Sequence, residues 1–414
     1  MVEARMPITA ESLGVRPGLR FCVINHGCKV NKVEADTVSS YLAAREAILV
    51  DENDAQLVIV NTCTVTGEAD KKARKAVRHA LKTAPNANVI VTGCGATIDA
   101  QGYASIDGRV KVIDRFDLLE ALKPAESTPL RIGKDYRTRV NIKIQDGCDH
   151  ACTYCIVHVA RGKARSADAA HVLSEAEEYF AHGAKELVLA GIDLGAYHCG
   201  AAGLASLVES LVRVSQRQCK PGEIPARIRA SSLEPMTVDD AFIEILAKSE
   251  GGVCRHLHVP LQSGSTKVLH EMARPYSAEK YLALVERLYE RVPRLSLTTD
   301  IIVGFPGESD DDFACTLELA RACRFSKIHV FPYSKRAGTP AAQRDDQVDP
   351  LVVKHRAALL RKLSDELRAA DYRSRIGTTE LVLAESKYAL TESYHEIPLP
   401  VGAEEGSLLP VVLG

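Results

Sequence analysis

The sequence predicts an α/β protein made of two successive parallel-sheet domains and a small β-rich tail. Short apolar runs alternate with amphipathic helical stretches along most of the 414-residue chain, the pattern of βαβ units. The alternation breaks once, at 121–138, where Pro124, Pro129 and mixed charges show little periodicity and read as a linker. It ends near Ile376, beyond which the apolar runs are short and β-like. A chain this long exceeds one ordinary domain, and a hydrophobic fraction of 46% supports more than one core.

Residues 1–18 mix charges with proline and hold no continuous apolar segment, so they predict a flexible leader and no signal peptide. No run reaches the roughly 18 apolar residues of a membrane span, and a cytoplasmic protein with no membrane partner is expected. Thiols stay reduced there, so the 12 cysteines point to metal binding or catalysis, not disulfides. A formal net charge of −2 leaves any nucleic-acid binding to local patches.

Residues 19–120 form the first domain. Its expected strands Phe21–Ile24, Leu57–Val60 and Val89–Val91 run into the turns that carry Cys28, Cys63 and Cys94. Helices are expected at Val33–Ala44 and Glu68–Leu81. Binding sites in such sheets lie beyond the carboxyl ends of the strands, so one edge can gather all three thiolates. Taken singly, each cysteine also reads as a small buried hydrophobe. On the helix after Cys63, Lys71, Lys75, Arg78 and Lys82 share a face opposite Ala73, Ala76, Val77, Ala80 and Leu81. That stripe suits a phosphate backbone, although a solvated helix face has the same pattern.

Residues 139–345 form the second domain. Strands are expected at Arg139–Ile144, Glu186–Ala190, Ala226–Ala230, His256–Pro260, Leu297–Val303 and Lys327–Phe331. Intervening helices include Ser174–Ala181, Leu204–Gln216, Val238–Ala247 and Ala278–Glu290. Six such units predict a partial, open (β/α)6 barrel with its function on the loops after the strands. A connecting helix then covers 346–375, with Leu359, Leu360, Leu363 and Leu367 on its apolar face. Residues 376–414 make the small β-domain, with runs at Leu381–Ala384 and Leu408–Leu413.

The first barrel loop holds Cys148, Cys152 and Cys155 in the spacing C-x3-C-x2-C. Structural zinc and Fe–S sites normally take four protein ligands. Three cysteines on a 4Fe–4S cluster leave one iron open for a substrate or cofactor. The loop is similar to the radical S-adenosylmethionine (SAM) signature, in which SAM chelates that iron. The alternative is a zinc knuckle completed by His150 or His158. Tyr154 is placed to shield the adenine of SAM or to pack, and Arg161, Lys163 and Arg165 offer charge to a carboxylate or phosphate. Gly191 and Asp193 follow the second strand, Ser232 and Glu234 the third, and Gln262 the fourth, so these positions are expected to meet the cofactor.

Several phrases together resemble the MiaB/MtaB/RimO methylthiotransferases, from about Arg20 to at least Thr339. They are Gly27-Cys-Lys-Val-Asn31, Asn61-Thr-Cys-Thr-Val65, Thr92-Gly-Cys94 and Gly147-Cys-Asp-His-Ala-Cys-Thr-Tyr-Cys155. Arg229-Ala-Ser-Ser-Leu-Glu-Pro235, the stretch His256–Ser265, Arg274-Pro-Tyr276 and the stretch Thr299–Glu308 also match. The resemblance implies that Cys28, Cys63 and Cys94 hold an auxiliary 4Fe–4S cluster that carries sulfur, beside the cluster at Cys148, Cys152 and Cys155. SAM would act as methyl donor and as radical source. The partners implied are a tRNA anticodon stem-loop, an electron donor of flavodoxin or ferredoxin type, and a sulfur donor.

The wording Gly-Cys-Lys-Val-Asn is that of the MtaB branch, which acts on N6-threonylcarbamoyladenosine, so the implied product is its 2-methylthio derivative. Arg161, Arg165 and the Lys71–Lys82 stripe are the RNA contacts expected. His158 replaces a usual proline, and Cys199 interrupts a glycine-rich loop. The tail corresponds in position to the RNA-binding TRAM domain. Its Glu380, Glu385, Glu392, Glu396, Glu404 and Glu405 face only Lys387, a surface expected to repel phosphate. Competing readings are methylthiolation of another tRNA adenosine or a ribosomal-protein side chain, or a non-catalytic, metal-stabilised RNA-binding protein.

Overall fold

The computed structural model describes residues 8–124 and 139–414, so the linker expected at 121–138 lies outside it beyond Pro124. The described chain forms two units. One holds the residues up to 124 together with Ile156–Gly162; the other holds 139–155 and Lys163–Gly414. Among the described residues no helix is long and apolar enough to cross a membrane.

The first unit holds β1 (Arg20–His26), β2 (Ile48–Leu49), β3 (Leu57–Thr62), β4 (Asn88–Gly93) and β5 (Val110–Val112). They form a parallel sheet in the order β2-β1-β3-β4-β5. Alternate residues of β3 go to opposite faces. Leu57 and Ile59 join one buried cluster, Val58 and Val60 the other, as a sheet covered on both sides requires. The covering helices include α1 (Lys29–Ala44), α2 (Gly67–Thr83), α3 (Cys94–Ile98) and α4 (Arg115–Leu122). Thr66 caps α2 by accepting from the Ala69 N–H at 3.1 Å, and Ala73, Val77 and Ala80 are buried beneath it. Residues 8–18 differ from the loose leader expected. Glu11–Leu13 make a 3-10 turn, and Ala10, Leu13 and Val15 pack with Phe21 and Leu57.

The second unit carries β6 (Arg139–Lys143), β7 (Glu186–Ala190), β8 (Arg227–Ala230), β9 (His256–His258), β10 (Ser296–Val303) and β11 (Lys327–Pro332). They pair in parallel as β8-β7-β6 and β9-β10-β11. The bridges Ile228↔Val253 and Ser232↔His258 join the two sheets, and β6 does not pair with β11 among the described residues. This is the expected open, partial barrel. A helix at Asp310–Ala322, not expected from the sequence, is started by a capping box between Ser309 and Asp312.

The long helix Pro350–Arg375 leads to a four-stranded antiparallel sheet made of Thr379–Ala384, Ala389–Thr391, Glu396–Ile397 and Leu408–Val412. This tail sheet covers the amino ends of the barrel strands. Arg227 and Arg229, both fully buried, donate to the carbonyls of Leu381 (2.6 Å), Leu390 (3.1 Å), Thr391 (3.2 Å) and Glu392 (3.0 Å). Glu186 receives the Nε–H of each arginine at 2.7 Å. Burial alone would raise the Glu186 carboxyl, yet Arg229 and Arg227 hold it well below the usual range. Removing one partner from such a buried set costs roughly 3–5 kcal/mol. The acidic surface expected of the tail is corrected here. Glu380 turns inward to Arg375 (3.1 Å), Glu385 to Arg139 (2.9 Å) and Glu392 to Arg255 (3.2 Å), while Glu396, Glu404 and Glu405 stay exposed.

Candidate metal centres

In the first unit β1, β3 and β4 are neighbours, and each stops just before its cysteine region. Cys28 caps α1, Cys63 follows Thr62, and Cys94 opens α3. The chain can turn so sharply at Cys94 because Gly93 has φ +90°; a Cβ there would meet Asn61 Oδ1 at 2.2 Å and the Thr62 carbonyl at 2.6 Å. Cys63 and Cys94 are buried and Cys28 is exposed. Burial pushes the Cys63 thiol up and the Cys94 thiol up to about 11, with Cys28 adding repulsion in both cases. These thiols need a compensating cation before they ionise.

One cation already touches Cys94. Arg161 donates from Nε to Cys94 Sγ at 3.0 Å. Its other nitrogens grip Glu34 at 3.0 and 3.1 Å and Asn31 Oδ1 at 3.3 Å. Asn31 is fixed in turn by donating to Asn61 Oδ1 at 3.0 Å and the Thr62 carbonyl at 3.2 Å. Arg161 is 2% exposed, which corrects its expected place on an RNA surface. The stripe itself is exposed: Lys71, Lys75, Arg78 and Lys82 all face outward on α2. Arg165, also exposed, lies 3.9 Å from Asp146.

In the second unit the loop after β6 carries the other trio. Gln145 ties it down, donating to the carbonyls of Asp146 (3.1 Å) and Gly147 (2.8 Å) while accepting from the Ile192 (2.9 Å) and Asp193 (2.8 Å) N–H groups. Further along, the Thr153 N–H donates to the Met272 carbonyl at 3.1 Å. Burial pushes the Cys148 thiol up to about 12, and the His150 N–H, 3.4 Å from its sulfur, works against that rise. Arg274 donates to Cys152 Sγ at 3.2 Å, ion-pairs with Glu234, and reaches the Tyr276 hydroxyl at 3.1 Å. The sequence alone assigns no role to Gln145 or Arg274; the only hint is the match at Arg274-Pro-Tyr276.

The positions expected to meet SAM all fall at or just beyond the carboxyl ends of β7, β8 and β9, apart from Tyr154. At Gly191 a Cβ would lie 2.8 Å from the Leu194 side chain and 3.1 Å from that of Gln145, so a larger residue would push on the side chain that ties down the cysteine loop. Asp193 is 4% exposed; its Oδ2 is 3.3 Å from His150, and its Oδ1 has no hydrogen-bond partner. Ser232 bridges to His258, Glu234 is committed to Arg274, and Gln262 holds a left-handed φ of +69°. Tyr154 packs against the buried cluster that holds Val268, Met272, Ile302, Phe305 and Ala341. Cys199 lies in a short hairpin with Ala202–Gly203, and His158 Nδ1 is buried without a partner.

The donor sets fit iron–sulfur clusters. None of the six cysteines is in a disulfide, each trio has an arginine aimed at one sulfur, and Asp193 Oδ1 suits a donor group of SAM. Cys148, His150 and Asp193 could also hold a metal ion, since their ligand atoms lie within 4.8 Å of one another. That arrangement would leave Cys152 and Cys155 unused.

An open barrel with a three-cysteine loop after its first strand defines a radical SAM enzyme, and residues 142–320 match the model of the radical SAM superfamily. Residues 20–113 match uncharacterized protein family UPF0004. The chain is 36% identical over 392 residues to threonylcarbamoyladenosine tRNA methylthiotransferase MtaB of Bacillus subtilis, covering 88% of this chain and 85% of that one. It is 34% identical to the Thermotoga maritima MtaB, over 87% and 85%. A tRNA-2-methylthio-N(6)-dimethylallyladenosine synthase of Parafrankia sp. is 34% identical, over 89% and 79%. Among solved structures, the radical SAM methyltransferase TsrM of Kitasatospora setae shares the fold at a TM-score of 0.56 and 16% identity, over 78% of this chain and 77% of that one. The chain therefore belongs to the MtaB/MiaB-type radical SAM methylthiotransferase family. Its cofactors are SAM and two 4Fe–4S clusters.

Proposed function

We propose that this protein adds a methylthio group to C2 of N6-threonylcarbamoyladenosine beside the anticodon of tRNA. The observation that carries this reading is the near full-length similarity to MtaB proteins, together with Gly27-Cys-Lys-Val-Asn31 at the first cysteine. Cys148, Cys152 and Cys155 hold the cluster that binds SAM, and Cys28, Cys63 and Cys94 hold the auxiliary one. Together the clusters and SAM would supply a radical, a methyl group and sulfur for a C2–H that is too weakly acidic for base catalysis. The protein's part is to orient. Gln145 fixes the cysteine loop against the Ile192–Asp193 backbone, Asp193 receives SAM, and Arg274 holds Cys152. A flavodoxin- or ferredoxin-type reductant and a sulfur donor complete the reaction.

The Parafrankia relative is nearly as similar, so dimethylallyl-type adenosine is the second substrate to test. Nucleoside analysis of tRNA from a deletion strain separates them. Loss of 2-methylthio-threonylcarbamoyladenosine, restored by the gene, is expected. Loss of only the dimethylallyl form would falsify the preferred substrate.

The anticodon stem-loop is expected to meet the exposed face of α2. Changing Lys71, Lys75, Arg78 and Lys82 to Gln should weaken tRNA binding. It should also flatten the slope of log K against log salt by about 0.7–0.9 for each phosphate left without its cation. An unchanged slope, with SAM cleavage intact as the folding control, would remove this face from the interface.

A further inference from the structure

Each cysteine trio is met by one buried arginine that is itself clamped by a carboxylate. Arg274 donates to Cys152 and pairs with Glu234. Arg161 donates to Cys94 at 3.0 Å and forms a two-pronged pair with Glu34. The two devices arise from unrelated elements, a turn after Met272 in one case and the short helix Val157–Arg161 in the other.

The Arg161 side chain is not needed to anchor its helix. Arg115 already holds the last carbonyls of that helix, Ala160 at 2.9 Å and Arg161 at 3.4 Å. Nor does an arginine–glutamate pair require a sulfur; yet Nε points at Cys94. A guanidinium does not lose its proton in proteins, so this charge and its N–H are permanent. Hydrogen bonds to sulfur and local net charge set the potentials of iron–sulfur clusters, and buried charges act at reduced screening.

We propose that Arg161, oriented by Glu34 and Asn31, is a positioning residue that sets the charge and reduction potential of the auxiliary cluster. The inference rests on the reading that Cys28, Cys63 and Cys94 hold that cluster. Glu34 offsets most of the arginine's charge, so the two residues should move the potential in opposite directions.

The test uses the full chain with Cys148, Cys152 and Cys155 changed to Ala, reconstituted anaerobically so that only the auxiliary cluster remains. Its potential is read by an EPR-monitored redox titration. Arg161→Gln should disfavour reduction about tenfold, a fall of ~59 mV for one electron. Arg161→Lys, which keeps the charge, should recover part of that fall. Glu34→Gln should raise the potential, because the guanidinium is no longer offset. Unchanged potentials in Arg161→Gln and Glu34→Gln at full iron content would reduce Arg161 to a structural role and overturn the proposal. If Arg161→Gln loses iron, Glu34→Gln decides alone: a rise supports the proposal and anything else sinks it. Cluster retention by Cys63→Ala in the same background would instead overturn the ligand set, and this inference with it.

Discussion

Cys152→Ala abolishes reductive cleavage of SAM and removes about four of the roughly eight irons expected from two 4Fe–4S clusters. Cys152 is the most buried of its trio, at 6% exposure, and the one that receives the Arg274 guanidinium. Two thiols on one loop cannot replace three. His150 lies beside Cys148 and is engaged with Asp193, and an imidazole there does not restore the third sulfur of the loop. Removing the thiolate also leaves the buried Arg274 with one anionic partner fewer. The measurement is 5′-deoxyadenosine formed under a strong reductant, alongside iron and sulfide analysis. Wild-type yields of 5′-deoxyadenosine would sink the assignment of the SAM-binding cluster. Zinc without sulfide in the wild-type chain would sink the enzyme reading altogether.

Cys63→Ala has the complementary outcome: SAM is still cleaved, and methylthio transfer falls to background. The residue follows the last residue of β3 and is buried at 7% exposure, so the change removes a ligand together with the packing of a single sulfur atom. The loss of product should exceed the roughly 10–100-fold that changing an outer-shell partner costs. Both SAM products are measured in one assay, 5′-deoxyadenosine for radical generation and methylthio-nucleoside for transfer. Retained methylthio product would defeat the auxiliary-cluster assignment. Loss of both products would mean that the two centres are not separable.

The positions of the six cysteines were legible because strand ends are local facts. An apolar run stopping at Ile24, Val60 or Val91 marks the edge of the sheet without knowledge of its neighbours. What was not legible depends on partners distant in sequence. Arg161 reads as a surface cation because buried arginines are rare, and its burial is possible only because Glu34 waits 127 residues earlier. The tail glutamates mislead in the same way: Glu385 and Glu392 find Arg139 and Arg255 in the barrel, where no window along the chain could pair them. The helix Asp310–Ala322 begins with three aspartates, whose charge suits a helix amino end.

The first unit borrows the seven residues Ile156–Gly162 from beyond the second cysteine loop. It is thus a discontinuous domain, and gene fission at the linker would not yield it whole. A fragment ending at residue 124 would keep Glu34 and Arg115 but lack both the guanidinium and the carbonyls they hold. Exchange of either half at the linker would therefore separate Arg161 from Glu34 and the helix carbonyls from Arg115. Any recombination that exchanges one of them must carry that short helix with it, or supply another to fill its berth.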